Sequence, residues 1–386
     1  AAPAGLRRVL MTTDAIGGVW PYSLELGRSL AERGIEVLLA IMGDAPRPAQ
    51  RQAAEAIPSV HLEWAPHRLE WMPGADADFE AAGDWLQSLA QRFAPDIVHL
   101  NGFAHAALDW QVPVVVVAHS CVLTWWRAVH GEDPPSEWDS YVRRVHRGLD
   151  GADVVIAPTA AFLDDLTAAY GSLTSARVVA NGRKEPAPAE RRLKSQHVLC
   201  AARVWDEAKN VRILDAAAAQ LDWPICVAGA TKRPDGLPVD LPGHLRFLGS
   251  LTETALRSRS DQSAIFVSPA LYEPFGLAVL EAAQSGCALV LSDIPTFHEL
   301  WDGAAMFVDP HDAGAWTEVL ATLCADPSEV ATYGARAAAR ARRYTAGAMV
   351  EGTLTAYGAA ADRYAASRLG PPRAPVSTYM PSGGPW

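Results

Sequence analysis

Cysteine is scarce in this chain: five in 386 residues, at positions 121, 200, 226, 287 and 324. None forms a Cys-x-x-Cys pair and the count is odd, which argues against a disulfide framework or a zinc ribbon. Thiols set in apolar runs read instead as small core residues of a reduced protein. Positive charge is also in short supply, with 33 Lys and Arg against 44 Asp and Glu and a formal net charge of −11. A chain of that sign lacks the basic field that nucleic acid requires, so nucleic acid is not expected as a partner. There is no long hydrophobic run. The most apolar stretch, residues 112–118, is too short to span a bilayer, and no secretory leader is visible. The expected location is cytoplasmic, with peripheral contact at the inner face of the membrane left open. No His/Cys cluster has metal-ligand spacing, and the Gly-x-Gly-x-x-Gly dinucleotide fingerprint is missing.

What is present is an ordinary globular composition, 49% hydrophobic and 20% charged, in a chain long enough for two domains. Short Val/Ile/Leu runs alternate with helical patterns from end to end. The runs predict strands over 8–13, 36–41, 60–64, 96–100, 112–118, 154–157 and 177–180, then over 197–201, 225–228, 245–248, 264–267, 288–291 and 305–308. Most are continuous rather than alternating, as expected where helices cover both faces of a parallel sheet. The pattern therefore predicts two doubly wound α/β units. The Pro- and charge-rich segment 184–195 marks their boundary, giving domains over 1–185 and 186–354. A helical run over 350–367 precedes a Pro/Gly/Ser-rich tail, 370–386, expected to be irregular.

Two carboxylates carry the most information. Glu273 lies on a loop after the strand over 264–267, and Glu281 lies inside the helical pattern that follows. Pro274, Phe275 and Gly276 shape the turn between them, leaving backbone N–H groups free at a helix start, which is an anion site. A second constellation follows the strand over 197–201: Arg203 at its carboxyl end and Lys209 near the next helix start. Both face the cleft side of a doubly wound sheet, where they would offset a diphosphate, although solvated surface cations would show the same spacing. Gly17 and Gly18 follow the first strand and permit a ligand close to the backbone, as they would permit a plain turn. His119 ends the most buried-looking strand, as either a cleft residue or a core histidine. Trp20, Trp125 and Trp126 follow strand ends and are the tryptophans best placed to face an acceptor, ahead of Trp71 and Trp138. Asp76-Ala77-Asp78 imitates a metal-binding Asp-x-Asp, but it precedes a helix, and capping by Asp78 accounts for it better. Arg143, Arg144 and Arg147 on the helical stretch 137–149 read as a solvated face.

Together these pieces resemble glycosyltransferase family 4, the retaining enzymes of GT-B fold. Glu273 and Glu281 are similar to that family's Glu-x7-Glu motif, Arg203 and Lys209 to its phosphate pair, Gly17-Gly18 to its glycine loop, His119 to its first-domain histidine, and Val179-Ala180-Asn181-Gly182 to its hinge segment. The resemblance covers about residues 8–360 in matching order. It departs at Ala202, at Ala180 and at Arg183, where a small apolar residue is common. The resemblance implies a GT-B fold with two Rossmann-like domains facing a deep cleft, and a last helix that crosses back so that 355–386 packs on the first domain. It implies that Arg203 and Lys209 bind the diphosphate and that Glu281 holds the ribose. Glu273, with the backbone of Phe275, Gly276 and Leu277, would hold the donor sugar, and His119 would touch the reacting atoms.

The expected activity is transfer of a sugar from a nucleoside-diphosphate sugar, UDP being the expected nucleotide, to an acceptor hydroxyl on a saccharide, glycolipid or small molecule. The expected course is front-face substitution with retention, with no metal and no cofactor beyond the co-substrate. A retaining glycoside phosphorylase of the same fold and a non-catalytic nucleotide-sugar-binding protein remain alternatives, with a nicotinamide dehydrogenase more distant.

Overall fold

The structure is a computed structural model that describes residues 5–173, 175–185, 194–233 and 237–369. The tail over 370–386 and most of the linker segment 184–195 lie outside the described residues.

Seven parallel strands build the first sheet: β1 (Arg8–Asp14), β2 (Glu36–Met42), β3 (Val60–Ala65), β4 (Ile97–Leu100), β5 (Val114–Val117), β6 (Val154–Ala157) and β7 (Ala176–Val178), in the order β3-β2-β1-β4-β5-β6-β7. Six more build the second: β8 (Ser195–Ala201), β9 (Ile225–Ala228), β10 (Arg246–Gly249), β11 (Ser263–Ser268), β12 (Ala288–Ser292) and β13 (Ala305–Val308), in the order β10-β9-β8-β11-β12-β13. In each sheet the chain winds outward from the first strand and then returns to its other side. The strand order thus reverses between β1 and β4 and between β8 and β11, and the crevices for ligands open at the carboxyl ends of those strands.

Successive residues of one strand enter opposite cores, which is why the strands read as unbroken apolar runs. Leu10 packs on one face of the first sheet while Val9 and Met11 pack on the other. Leu199 and its neighbours Val198 and Cys200 divide the second sheet's two cores in the same way. All five thiols are free. Burial raises those of Cys200 to about 12 and of Cys287 and Cys324 to about 11, so they stay protonated and apolar in character.

The C-terminal helix, Ala346–Leu369, belongs to the first unit by packing. Met349, Val350, Leu354 and Tyr357 are buried with Val9, Met11, Tyr22 and Leu26. The return to the first unit therefore begins at residue 346, earlier than the expected 355. Outward and returning chains meet where Arg183 N–H donates to the Tyr344 carbonyl and Ala346 N–H to the Arg183 carbonyl, both at 3.1 Å. Gly182 is required at this crossing, because a Cβ there would lie 2.1 Å from the Thr345 carbonyl oxygen.

The two units also touch beside the cleft. Cys121 N–H donates to the Tyr272 hydroxyl at 3.0 Å, and the Thr159 hydroxyl donates to the Pro274 carbonyl at 3.0 Å. Glu299 accepts from the N–H groups of Ala160 and Ala161 at 2.8 Å each, placing a carboxylate at the start of the helix Ala160–Tyr170. These contacts fix the Glu273 loop against the first unit.

Candidate active site

The turn from β1 into the helix Val19–Ala31 runs through Gly17, whose φ is +64°. A Cβ on Gly17 would lie 2.8 Å from Nη1 of Arg203, and one on Gly18 would lie 3.8 Å from the Leu277 side chain. A glycine at 17 thus serves two needs, a left-handed backbone and the close approach of a guanidinium from the other unit. The glycine turn, Arg203 and the start of the helix Leu277–Gln284 consequently meet across one crevice. Gly276 caps that helix, and its first-turn N–H groups lack intrahelical acceptors. Phe275 is a core side chain of the second unit, edge-on to Tyr344, so only its backbone is available to a ligand.

The two cations are not free charges. Lys209 Nζ donates to Glu273 Oε2 at 2.7 Å, and Arg203 Nη2 donates to Asp206 Oδ2 at 2.6 Å. Burial alone would raise the Asp206 carboxyl, but Arg203 and Lys209 hold it below its ordinary value. Asp206 also accepts from Trp125 Nε1 at 3.3 Å, across the interface. Sequence reasoning missed Asp206, because an acid between Trp205 and Glu207 has no period to distinguish it from surface. Arg203 further lies 5.4 Å over the Trp205 ring, which limits its rotamers. Glu281 is paired with Arg183, whose Nε donates to Oε1 at 2.7 Å.

His119 is held by a network that determines its tautomer. Asn101 Nδ2 donates to the Thr12 carbonyl at 2.8 Å, so its Oδ1 is the acceptor that faces Nε2 of His119 at 2.8 Å and Nε2 of His99 at 3.2 Å. Both imidazoles then carry their proton on Nε2. Nδ1 of His99 accepts from the Tyr357 hydroxyl at 2.8 Å, and Nδ1 of His119 keeps its lone pair. Burial lowers His119 to about 3, with His99 adding to it, and lowers His99 to about 4, so both are neutral near pH 7. The Tyr22 ring stands edge-on to His119 at 4.5 Å. Asn101 and Tyr357 were not singled out in the sequence. Asn101 carried the same signal as His119, a polar residue after an apolar strand, while Tyr357 comes from a helix far along the chain.

A cavity of about 60 Å³ opens on the first-unit side, beside Asp14, Arg68, Trp71, Asn101 and His105. Burial pushes the Asp14 carboxyl up to about 7, against the pull of the Ile16 N–H and Arg203. Trp71 lines this cavity; the expected Trp20 does not. Trp20 is buried with Ile41 and Ala54, because the first turn of its helix turns that side chain toward β2 rather than the cleft. Trp125 is tied to Asp206, and Trp126 is half-buried against His130.

Two further expectations need correcting. Asp78 occupies the N-cap position of the helix Phe79–Phe93 but makes no side-chain cap; its carboxylate accepts from the Arg68 backbone at 3.0 Å and pairs with the Arg68 guanidinium. Arg144 is not solvated: it is mostly buried, pairs with Asp76 and lies over the Phe79 ring.

Comparison with known proteins agrees with this architecture. Residues 16–184 match the family model described as Glycosyltransferase Family 4, and residues 195–326 match the one described as Glycosyl transferases group 1. A D-inositol 3-phosphate glycosyltransferase of Kineococcus radiotolerans is 25% identical over 94% of each chain. Among solved structures, sucrose-phosphate synthase from Thermosynechococcus elongatus superposes with a TM-score of 0.75 at 16% identity, over 91% of this chain and 98% of its own. The Anabaena protein HepE in complex with UDP-glucose does so with a TM-score of 0.70 at 17% identity, over 90% of this chain and 98% of its own. The fold is GT-B, and the protein is a glycosyltransferase. The chain belongs to glycosyltransferase family 4. Among the described residues, no helix is long and apolar enough to cross a membrane.

Proposed function

We propose that the protein transfers a sugar from a nucleoside-diphosphate sugar to an acceptor hydroxyl with retention of anomeric configuration. The observation that carries this reading is the approach of Gly17 and Gly18 to Arg203 and Leu277, since it puts a glycine turn, a guanidinium and a helix start at one crevice. The diphosphate lies there, against Arg203, Lys209 and the N–H groups before Leu277. Glu281 takes the ribose hydroxyls. Glu273, oriented by Lys209 and by the Thr296 hydroxyl that donates to its carbonyl, takes hydroxyls of the donor sugar. HepE is described with UDP and with UDP-glucose, which favours UDP as the nucleotide here.

The ion pairs refine the chemistry. Asp206 and Glu273 balance Arg203 and Lys209 one for one, so the two cations are held in place by carboxylates of the protein itself. A bound diphosphate competes with Asp206 for the Arg203 fork. As the sugar–phosphate bond breaks, the charge growing on the leaving oxygen strengthens its bonds to both cations, which is transition-state stabilisation by a preorganised field. The leaving phosphate takes the acceptor proton, and the acceptor attacks from the same face. Neutral His119 offers Nδ1 as an acceptor to a donor-sugar hydroxyl. The acceptor enters from the cavity beside Asp14 and Trp71. No separate metal is needed in this scheme, and none of the named residues is required as a ligand.

The test is a thermal-shift screen with UDP, GDP, ADP and their common sugars, followed by NMR of the product anomer. A donor that raises the melting point and gives a product of the donor's own configuration supports the reading. An inverted product refutes retention, and sugar-1-phosphate formed from inorganic phosphate without nucleotide refutes the donor class.

A further inference from the structure

Arg183 is a buried cation at the point where the chain leaves the first unit, and the proposed catalytic scheme does not use it. Its backbone is bonded on both sides to the returning chain at Tyr344 and Ala346. Its side chain is 9% exposed and reaches into both units. Toward the second unit, Nε donates to Glu281 Oε1 at 2.7 Å and Nη2 donates to Glu253 Oε1 at 2.8 Å. Toward the first, Nη1 lies 3.6 Å from Glu25 Oε2 and 3.4 Å from the Pro21 carbonyl. Pro21 and Glu25 belong to the helix that starts directly after Gly17-Gly18.

The three carboxylates are not equal partners. The Glu253 side chain is 69% exposed, so water and salt screen it, whereas Glu281 is 15% and Glu25 12% exposed. Burial works against the charge on Arg183, but Glu281, Glu253 and Glu25 outweigh it and raise the group above its ordinary value. Every contact that Arg183 makes with Glu281 falls on Oε1. Oε2 has no hydrogen-bond partner among the described residues.

We propose that Arg183 is a positioning residue of the donor site: it holds Glu281 by Oε1, leaves Oε2 for the ribose, and ties that carboxylate to Glu25, so that donor affinity is coupled to the angle between the two units. The inference rests on Glu281 being the ribose carboxylate. A planar fork suits the task, because it spans two partners in fixed directions; an ammonium, a point charge, does not reproduce both. Residue 183 also lies on the crossing of the two chains, so any change of interdomain angle moves Glu25 relative to Glu281 and is felt at this one side chain.

The experiment is calorimetric titration of the full chain with whichever of UDP, GDP and ADP the wild type binds most tightly, alongside donor KM and kcat. Arg183→Ala is expected to weaken nucleotide binding by about tenfold or more, and Arg183→Lys by an intermediate factor. Glu25→Gln, which reaches the donor only through Arg183, is expected to raise the donor KM about threefold or more while kcat stays within about a factor of two. Glu25→Gln keeps the proposal testable if Arg183→Ala does not fold. Nucleotide bound alike by the wild type and all folded variants overturns the inference and leaves the donor site standing. So does a Glu25→Gln variant that loses kcat at an unchanged donor KM. Failure of the wild type to bind any of the three nucleotides overturns the donor-site reading and the inference with it.

Discussion

Lys209 and Glu273 form a part-buried ion pair 2.7 Å long, and each is proposed to do its work on a different part of the donor. Replacing either by alanine removes a ligand contact and leaves the other side chain without its partner. Lys209→Ala and Glu273→Ala are each expected to lower kcat on the order of a hundredfold with unchanged circular dichroism, and steady-state assays of both check this. Asp14 supplies a pH prediction. Its folded-state carboxyl is raised from 3.8 to about 7, so the stability this brings is complete below 3.8 and is lost as pH rises through 7. Asp14→Asn keeps an oxygen for the Ile16 N–H and removes that loss. Relative to wild type, the variant is expected to gain roughly 2 kcal/mol between pH 5 and pH 8. Denaturant unfolding of both proteins at the two pH values measures it, and an equal difference at both would contradict the assignment. The placement of Glu273, Lys209, Arg203 and His119 at strand and helix ends was visible in the sequence, since each follows an apolar strand or opens a helix. Their counterparts Asp206, Asn101 and Arg183 were not, because a charge partner is chosen by three-dimensional proximity that no spacing encodes.

At the scale of elements, the strands were the most legible part. Parallel strands covered on both faces leave unbroken apolar runs, and all thirteen expected strands are present with ends displaced by no more than three residues. Ends were less legible: β8 begins at Ser195 rather than 197, because backbone pairing with β11 continues past the last apolar side chain. Amphipathic faces misled at Trp20, where the first helical turn points inward, and at Arg144, which finds Asp76 across the surface. The C-terminal helix has its own test. Tyr357 donates to His99 and so anchors the Asn101–His119 network from the far end of the chain's described elements. Tyr357→Phe leaves a buried ring nitrogen unpaired and is expected to cost about 1–2 kcal/mol in urea unfolding. At the glycine turn, Gly17→Ala puts a methyl into the Arg203 guanidinium on a left-handed backbone. Donor KM is expected to rise about tenfold or more, and an unchanged KM would remove Arg203 from the diphosphate.

For the molecule as a whole, two sheets whose strand orders reverse bring Gly17 and Gly18 against Arg203 and Leu277, which are far apart in sequence. The fold was readable from strand and helix alternation, and the family from five separated motifs. The proposed acceptor side was not readable, because the cavity there is lined by irregular segments such as the one carrying Trp71, whose shape no period predicts. Nor was the balance of charge in the crevice, which depends on the pairs that Arg203 and Lys209 make with Asp206 and Glu273 inside the second unit. In the proposed function a nucleoside diphosphate binds between the glycine turn and Arg203, with its ribose on Glu281. Titration calorimetry of UDP, GDP and ADP against the wild type and Glu281→Ala decides this. At least one nucleotide should bind the wild type, and its Kd should rise about tenfold or more in the variant. Binding of none of the three, or equal affinity in both proteins, would contradict it.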